Sequence, residues 1–175
     1  MQQTLIIYST VDGHTRRICE TIATELKAAG EQVIISDLAK TSEALLKQSQ
    51  KVLIGASIRY GKFRPALYRF VNRYKTLLDA RENAFFCVNV VARKPEKNQP
   101  DTNPYMAKFL RLSLWRPKLL GVFAGRIVYA EYGWLDRTMI RFIMWMTKGP
   151  TDTSQAYEFT DWERVREFAR EFAKS

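Results

Sequence analysis

From Ser9 to Thr15 the chain reads S-T-V-D-G-H-T, with three hydroxyls, one glycine and the protein's single histidine inside seven residues. Hydroxyl groups donate hydrogen bonds to anionic oxygens, and a glycine lets the backbone approach one closely. Where a helix starts directly afterwards, its unpaired N–H groups and the positive end of its dipole face the same place. Ser9, Thr10, Gly13 and Thr15 therefore have the makings of a phosphate cradle, against the plainer alternative of a polar strand-to-helix turn. Neither G-x-x-x-x-G-K-S/T nor G-x-G-x-x-G occurs, so the common triphosphate and dinucleotide loops are absent. No acid–base pair stands out. Cys19 and Cys87 lie in apolar segments without ligand spacing, so no metal site is expected and both thiols should be buried and free.

The elements that would position this turn alternate between strand and helix patterns. T-L-I-I-Y-S (4–9), Q-V-I-I-S-D-L (32–38), K-V-L-I-G-A-S (51–57), N-A-F-F-C-V-N-V-V-A (83–92) and L-L-G-V-F-A-G-R-I-V-Y (119–129) predict five strands. Helical spacing runs over 14–29 with Gly30 as its stop, over 42–48 behind Ser42, from Pro65 to about Ala80, and from about Pro104 to Trp115. A last helix follows a capping box of Thr160 and Glu163. The alternation implies an α/β fold with a five-stranded parallel sheet of order 2-1-3-4-5, in one domain over residues 1–175. Ligands bind such sheets beyond the strand carboxyl ends, where the winding reverses. For this order that point lies between strands one and three, next to Ser9–Thr15.

The stretch L-I-I-Y-S-T-V-D-G-H-T-R-R-I-C-E-T-I resembles the phosphate-binding signature of flavodoxins, an apolar run and an aromatic followed by T-x-x-G-x-T and a helix. Cys19 stands where that family usually carries alanine. The resemblance implies FMN, with its phosphate on Ser9, Thr10, Asp12, Gly13, His14 and Thr15, and Asp12 turned outward because a carboxylate repels a dianion. It also implies two loops around the flavin ring. Ser57, Ile58, Arg59, Tyr60 and Gly61 form the first, with Tyr60 stacking. Asn89, Val90, Val91, Ala92 and Arg93 form the second, along the ring edge.

With 28 Lys and Arg against 18 Asp and Glu, the net charge of +10 points to an anionic partner. It argues against an electron carrier of the flavodoxin kind, which is acidic so as to dock on basic redox partners. Residues 130–154 show no strand pattern and form an insertion interrupting the fifth strand, as in long-chain flavodoxins. Trp134, Phe142 and Trp145 stand there among Arg137, Arg141 and Lys148, a mixture suited to an anionic membrane surface and a quinone. The same residues also fit burial on the protein or in a homo-oligomer. No signal peptide pattern and no apolar run of about 18 residues is seen, so a cytoplasmic protein resting on the inner face of the cell membrane is expected.

Together with S-I-R-Y-G-K-F-R-P-A-L-Y-R-F-V and V-N-V-V-A-R-K-P-E-K, the whole chain resembles the menaquinone-dependent protoporphyrinogen oxidase family of bacterial haem synthesis. That resemblance implies oxidation of protoporphyrinogen IX, with electrons passing through FMN to menaquinone or ubiquinone. The substrate's two propionates would find Arg59, Lys62, Arg93, Lys94, Arg137 or Arg141. An NAD(P)H:quinone reductase on the same flavin domain is the alternative, and a basic nucleic-acid-binding domain is not expected.

Overall fold

The computed structural model describes residues 2–10, 13–128, 134–146, 148–152 and 156–175. Its central sheet is parallel, built from β1 (Gln3–Ser9), β2 (Gln32–Asp37), β3 (Lys51–Ser57), β4 (Glu82–Asn89) and β5 (Leu119–Ala124) in the order β2-β1-β3-β4-β5. Alternate residues of each strand serve opposite cores. Leu5, Ile7, Val52, Ile54 and Phe85 face α2 (Glu43–Gln48), α3 (Pro65–Arg73), α4 (Lys75–Asp79) and α5 (Pro104–Leu112). Ile6, Leu53, Phe86 and Phe123 face α1 (His14–Ala28) and α7 (Trp162–Ala173). Covering both faces is what makes the central strands read as unbroken apolar runs. Each fully buried large side chain contributes about 1.5–3 kcal/mol. Both thiols are buried, and burial pushes Cys87 up to about 12, so neither is poised as a nucleophile.

Four boundaries differ from the expected ones. The helix from Pro65 breaks at Tyr74 into α3 and α4, and the helix from Pro104 ends at Leu112 rather than Trp115. Strand four stops at Asn89, because the Asn89 side chain accepts from Ala92 N at 3.0 Å and turns Val90–Arg93 into a 3₁₀ turn. The fifth strand breaks at Gly125. The Gly125 N–H donates to Asn89 O (3.2 Å) and its carbonyl accepts from Phe159 N (3.1 Å), which draws the chain out of the sheet. Beyond the break β6 (Arg126–Val128) pairs antiparallel with β7 (Ala156–Glu158), and α6 (Trp134–Met146) lies between them in sequence. The cap of α7 is Asp161, which accepts from Glu163 N and Arg164 N, while the Thr160 hydroxyl donates to Ala124 O instead.

The end of the sheet away from the strand carboxyl ends is closed by a buried charge pair. Gly30, at φ 93°, ends α1 in a Schellman turn in which Glu31 N reaches back to Leu26 O. That turn sends Glu31 inward to Lys51, whose Nζ donates to Glu31 Oε1 (2.9 Å) and to Phe172 O (2.6 Å). Thr4 Oγ1 donates to the other carboxylate oxygen. Lys51 is fully buried, so removing its charge strands Glu31 in a medium that cannot solvate it. Lys51→Ala is expected to cost about 3–5 kcal/mol in urea unfolding. Lys75→Ala, at the exposed Lys75–Asp79 pair, should cost less than about 1 kcal/mol. Equal losses in the two variants would show that the buried pair is not a keystone.

Candidate functional site

The S-T-V-D-G-H-T turn leaves β1 and enters α1. Ser9 is buried at the strand end, and Thr10 Oγ1 accepts from Gly13 N at 3.2 Å. Arg64 reaches across from the start of α3 to the Thr10 carbonyl at 3.3 Å. Gly13 occupies the N-cap of α1 at φ 87°, a left-handed conformation that favours glycine, and a glycine has no side chain with which to cap the helix. No acidic residue fills the first turn either. The Thr15 hydroxyl is buried without a hydrogen-bond partner. An uncapped helix start beside a buried, unsatisfied hydroxyl is a site built for an anion, so the residues fit a phosphate group. Asp12 lies outside the described residues.

His14 departs from the expected role in one respect. Its ring is buried in the seam between α1 and α7, edge-on to Trp162 at 5.8 Å, with Nε2 2.7 Å from Thr160 Oγ1. Because the Thr160 hydroxyl gives its proton to Ala124 O, His14 Nε2 is the donor in their contact. The imidazole thus serves the seam, and its main-chain N–H belongs to the helix start.

The two ring loops flank a common cleft. Ile58 N is held by Val88 O, and Arg59 and Lys62 exchange both backbone hydrogen bonds (3.1 and 3.2 Å) around Tyr60 and Gly61. Tyr60 at φ 53° and Gly61 at φ 75° make this a type I′ turn. A tyrosine in that region is strained, and the turn presents its half-exposed ring at the mouth of the cleft. Lys108 Nζ on α5 secures the turn through the Gly61 carbonyl at 3.1 Å. On the opposite side, Asn89, Val90 and Val91 line the cleft. The buried Asn89 amide is committed to Asn103, which itself caps α5 through Tyr105 N and Met106 N.

The cleft encloses about 710 Å³ of empty space, part of it open to solvent. Its enclosed part is about 130 Å³, smaller than a closed small-molecule site of roughly 300–1,000 Å³, so a ligand here would also occupy the open mouth. Its outer wall comes from Ile127 on β6 and, within the insertion, from Ile140, Ile143 and Met144 on α6. Arg126 and Tyr105 also line it. Burial raises the Tyr105 phenol above its ordinary range, so it stays a protonated donor. Sequence reasoning missed Arg126 and Tyr105. Arg126 lies just past a strand carboxyl end, a signal that shows only once β5 is seen to stop at Ala124.

Several expected residues lie elsewhere. Ala92 and Arg93 line a separate polar cavity shared with Asp161 and Arg164, and Arg93 Nη1 folds back onto Val90 O at 3.1 Å while Nη2 lies near Gly149 and the Met144 side chain. Lys94 and Ser57 are half-buried outside the cleft lining, and Lys62 is exposed at the foot of the hairpin. Arg137 is not among the lining residues. Arg141 sits on the outer side of α6 with Phe142 and Trp145, which are 55% and 69% exposed. The Trp134 side chain lies outside what the structure describes.

Residues 5–154 match the flavodoxin domain family. The chain is 47% identical over 171 residues to protoporphyrinogen IX dehydrogenase (quinone) of Escherichia coli, covering 98% of this chain and 94% of that one. It is 45% identical over 172 residues to the protein of the same name from Leishmania major, covering 97% of this chain and 74% of that one. Among solved structures, a short-chain flavodoxin associated with a non-canonical PDU bacterial microcompartment aligns with TM-score 0.59 at 13% identity, over 99% of this chain and 98% of that one. Oxidised Flavodoxin 1 from Bacillus cereus aligns with TM-score 0.54 at 15% identity, again over 99% and 98%. These two likenesses concern the fold. The chain belongs to the flavodoxin family and, within it, to the protoporphyrinogen IX dehydrogenases (quinone).

Proposed function

We propose that this protein oxidises protoporphyrinogen IX to protoporphyrin IX, a six-electron aromatisation, with FMN as its flavin and menaquinone or ubiquinone as acceptor. One observation carries the reading. Ile127 of β6 with Ile140, Ile143 and Met144 of the insertion helix walls the flavin loops, turning what would be an open ring edge into an apolar-sided cleft. An electron carrier has no use for such a wall, whereas a bulky apolar reductant and a quinone both need one. The names of the Escherichia coli and Leishmania major relatives support the same substrate and acceptor.

When bound, the flavin supplies hydride acceptance and two-electron redox chemistry. The chain's own residues hold, orient and dry the site. Ser9, Thr10 and Thr15 with the α1 start would carry the phosphate, and the strained Tyr60 would lie against the ring. The apolar α6 wall excludes water, which strengthens every polar contact inside. Tyr105 keeps its proton as a hydrogen-bond donor. Neither carboxylate nor imidazole lines the cleft among the described residues, so no acid–base dyad is invoked.

We place the protein on an anionic membrane surface. Met139, Phe142, Trp145 and Met146 are exposed on α6 beside Arg141, and the Phe142 and Trp145 rings lie 6.3 Å apart. Aromatic and aliphatic side chains with flanking cations suit the lipid interface. Among the described residues no helix is long and apolar enough to cross a membrane. A homo-oligomer covering the same face is the competing arrangement.

Three outcomes are expected. Anaerobic mixing with protoporphyrinogen IX should bleach the flavin absorbance and quinone should restore it; rapid bleaching by NADPH alone would instead make the protein a pyridine-nucleotide quinone reductase. Thr15→Val should weaken FMN about 10-fold or more in a fluorescence titration, yet leave the FMN-free protein as stable or about 1 kcal/mol more stable, since it removes an unsatisfied buried hydroxyl. Unchanged FMN affinity with a loss of stability would reassign Thr15 to the scaffold. Replacing Phe142 and Trp145 together by Asp should abolish sedimentation with phosphatidylglycerol vesicles. Retained vesicle binding, or a shift from dimer to monomer, would favour the oligomer.

A further inference from the structure

Tyr60 is held where a tyrosine does not stay of its own accord. At φ 53° it sits in the left-handed region, where a β-carbon is crowded and glycine or asparagine is the usual occupant. Such a conformation persists only when its surroundings over-determine it. Arg59 and Lys62 close the hairpin as an isolated antiparallel bridge, with no further rungs to stiffen the turn between them. The tip is fixed from outside by Lys108, whose Nζ donates to the Gly61 carbonyl at 3.1 Å.

The helix that carries Lys108 is itself rigidly placed. The Asn103 cap fixes the start of α5, and Phe109 stacks on Phe85 of the sheet with ring centroids 3.9 Å apart. Phe63, just beyond the hairpin, packs edge-on to the same Phe109 at 5.8 Å. Hairpin and helix are therefore joined by an apolar contact at the foot and a charged one at the tip. Lys108 is half-buried, and an ammonium donating to a carbonyl makes a stronger bond than two neutral groups do. Tyr105 and Lys108 stand three residues apart and so share a face of α5. The one lines the cleft and the other holds its rim.

We propose that Lys108 is a positioning residue of the flavin site: it keeps Tyr60 in the left-handed conformation that lays its ring against the isoalloxazine, and it fixes that ring relative to Tyr105. This rests on the proposed function for the flavin and for the place of Tyr60 against it. Without the Lys108 bond the tyrosine is free to return to an ordinary backbone region, which swings its ring out of place. The tie acts through a carbonyl of the ring loop and not on the cofactor's phosphate, which has its own cradle at the α1 start. Riboflavin, which lacks the phosphate, therefore depends on Lys108 as much as FMN does.

The test is a fluorescence titration of the full chain, freed of FMN, with FMN and with riboflavin, in a cycle of Lys108→Met and Tyr60→Gly. Lys108→Met should weaken both flavins by the same factor, about 10-fold, the scale of one charge-assisted hydrogen bond. It should also relieve part of the quenching of the bound flavin's fluorescence. Lys108→Arg, which keeps a charged donor, should recover part of both losses. Tyr60→Gly should weaken both flavins too. Adding Lys108→Met to it should then change either affinity by less than about twofold, because glycine holds the turn unaided and no ring is left to place. Full additivity in the double variant, a loss confined to FMN, or unchanged affinity in Lys108→Met would each overturn the proposal. A loss confined to FMN would make Lys108 an attractor of the phosphate charge only. Failure of the underlying reading would look different: Tyr60→Gly alone would leave flavin affinity and quenching as they are, or the wild type would bind neither flavin.

Discussion

Two facing amides govern where the cleft can be. Asn89 Oδ1 accepts from Ala92 N and from Asn103 Nδ2, while Asn103 Oδ1 accepts from Tyr105 N, Met106 N and Asn89 Nδ2. Asn103 Nδ2 also reaches Lys97 O at 2.9 Å. This knot ends β4, coils the following turn and starts α5. Through the bond from Gly125 N to Asn89 O it also fixes where the chain leaves the sheet after β5. Both side chains are buried, so each amide depends on the other for satisfaction. The flavin-loop wall, the Tyr105 position and the origin of the insertion are thus consequences of one polar cluster.

The sheet order and the strand-to-helix turn at Gly13 were legible because they rest on local signals: strand-length apolar runs, helical spacing between them, and a glycine just before the helix. The errors share a cause, which is a tertiary partner that outbids a local preference. Val90–Arg93 continues an apolar β pattern, yet the Asn89 amide coils it. Thr160 and Asp161 are both good caps, and Ala124 O takes the threonine hydroxyl away from the helix. Lys51 opens an apolar strand, and no local signal shows that Glu31 and Phe172 O hold it inside. Arg126 fell inside a fifth strand read as running from 119 to 129, and the strand end at Ala124 that would have pointed to it shows only in the structure. Arg93 was placed along the ring edge by the resemblance, which carries no information on how the Asn89 amide coils this particular turn.

The insertion helix explains the odd composition of the chain. Ile140, Ile143 and Met144 of α6 line the cleft while Met139, Phe142, Trp145 and Met146 face outward, so the helix is apolar on two sides. A helix of that kind belongs between two apolar media. One is the cleft. In the proposed arrangement the other is the lipid surface, whose anionic headgroups the net charge of +10 would attract.

The buried Lys51 at the other end has a consequence for how the chain is made. Its ammonium needs the Phe172 carbonyl and lies 4.4 Å from the centre of the Phe172 ring, so its environment is assembled by residues 121 positions later. Until α7 has emerged from the ribosome and docked, β1 and β3 hold a charged side chain at an unfinished interface with α1. The sheet can pair early, but the domain cannot be sealed before almost all of it has been synthesised. A chain cut short ahead of Phe172 would keep its cofactor-binding motif and lose the closure, which makes it a substrate for quality control and not a smaller enzyme.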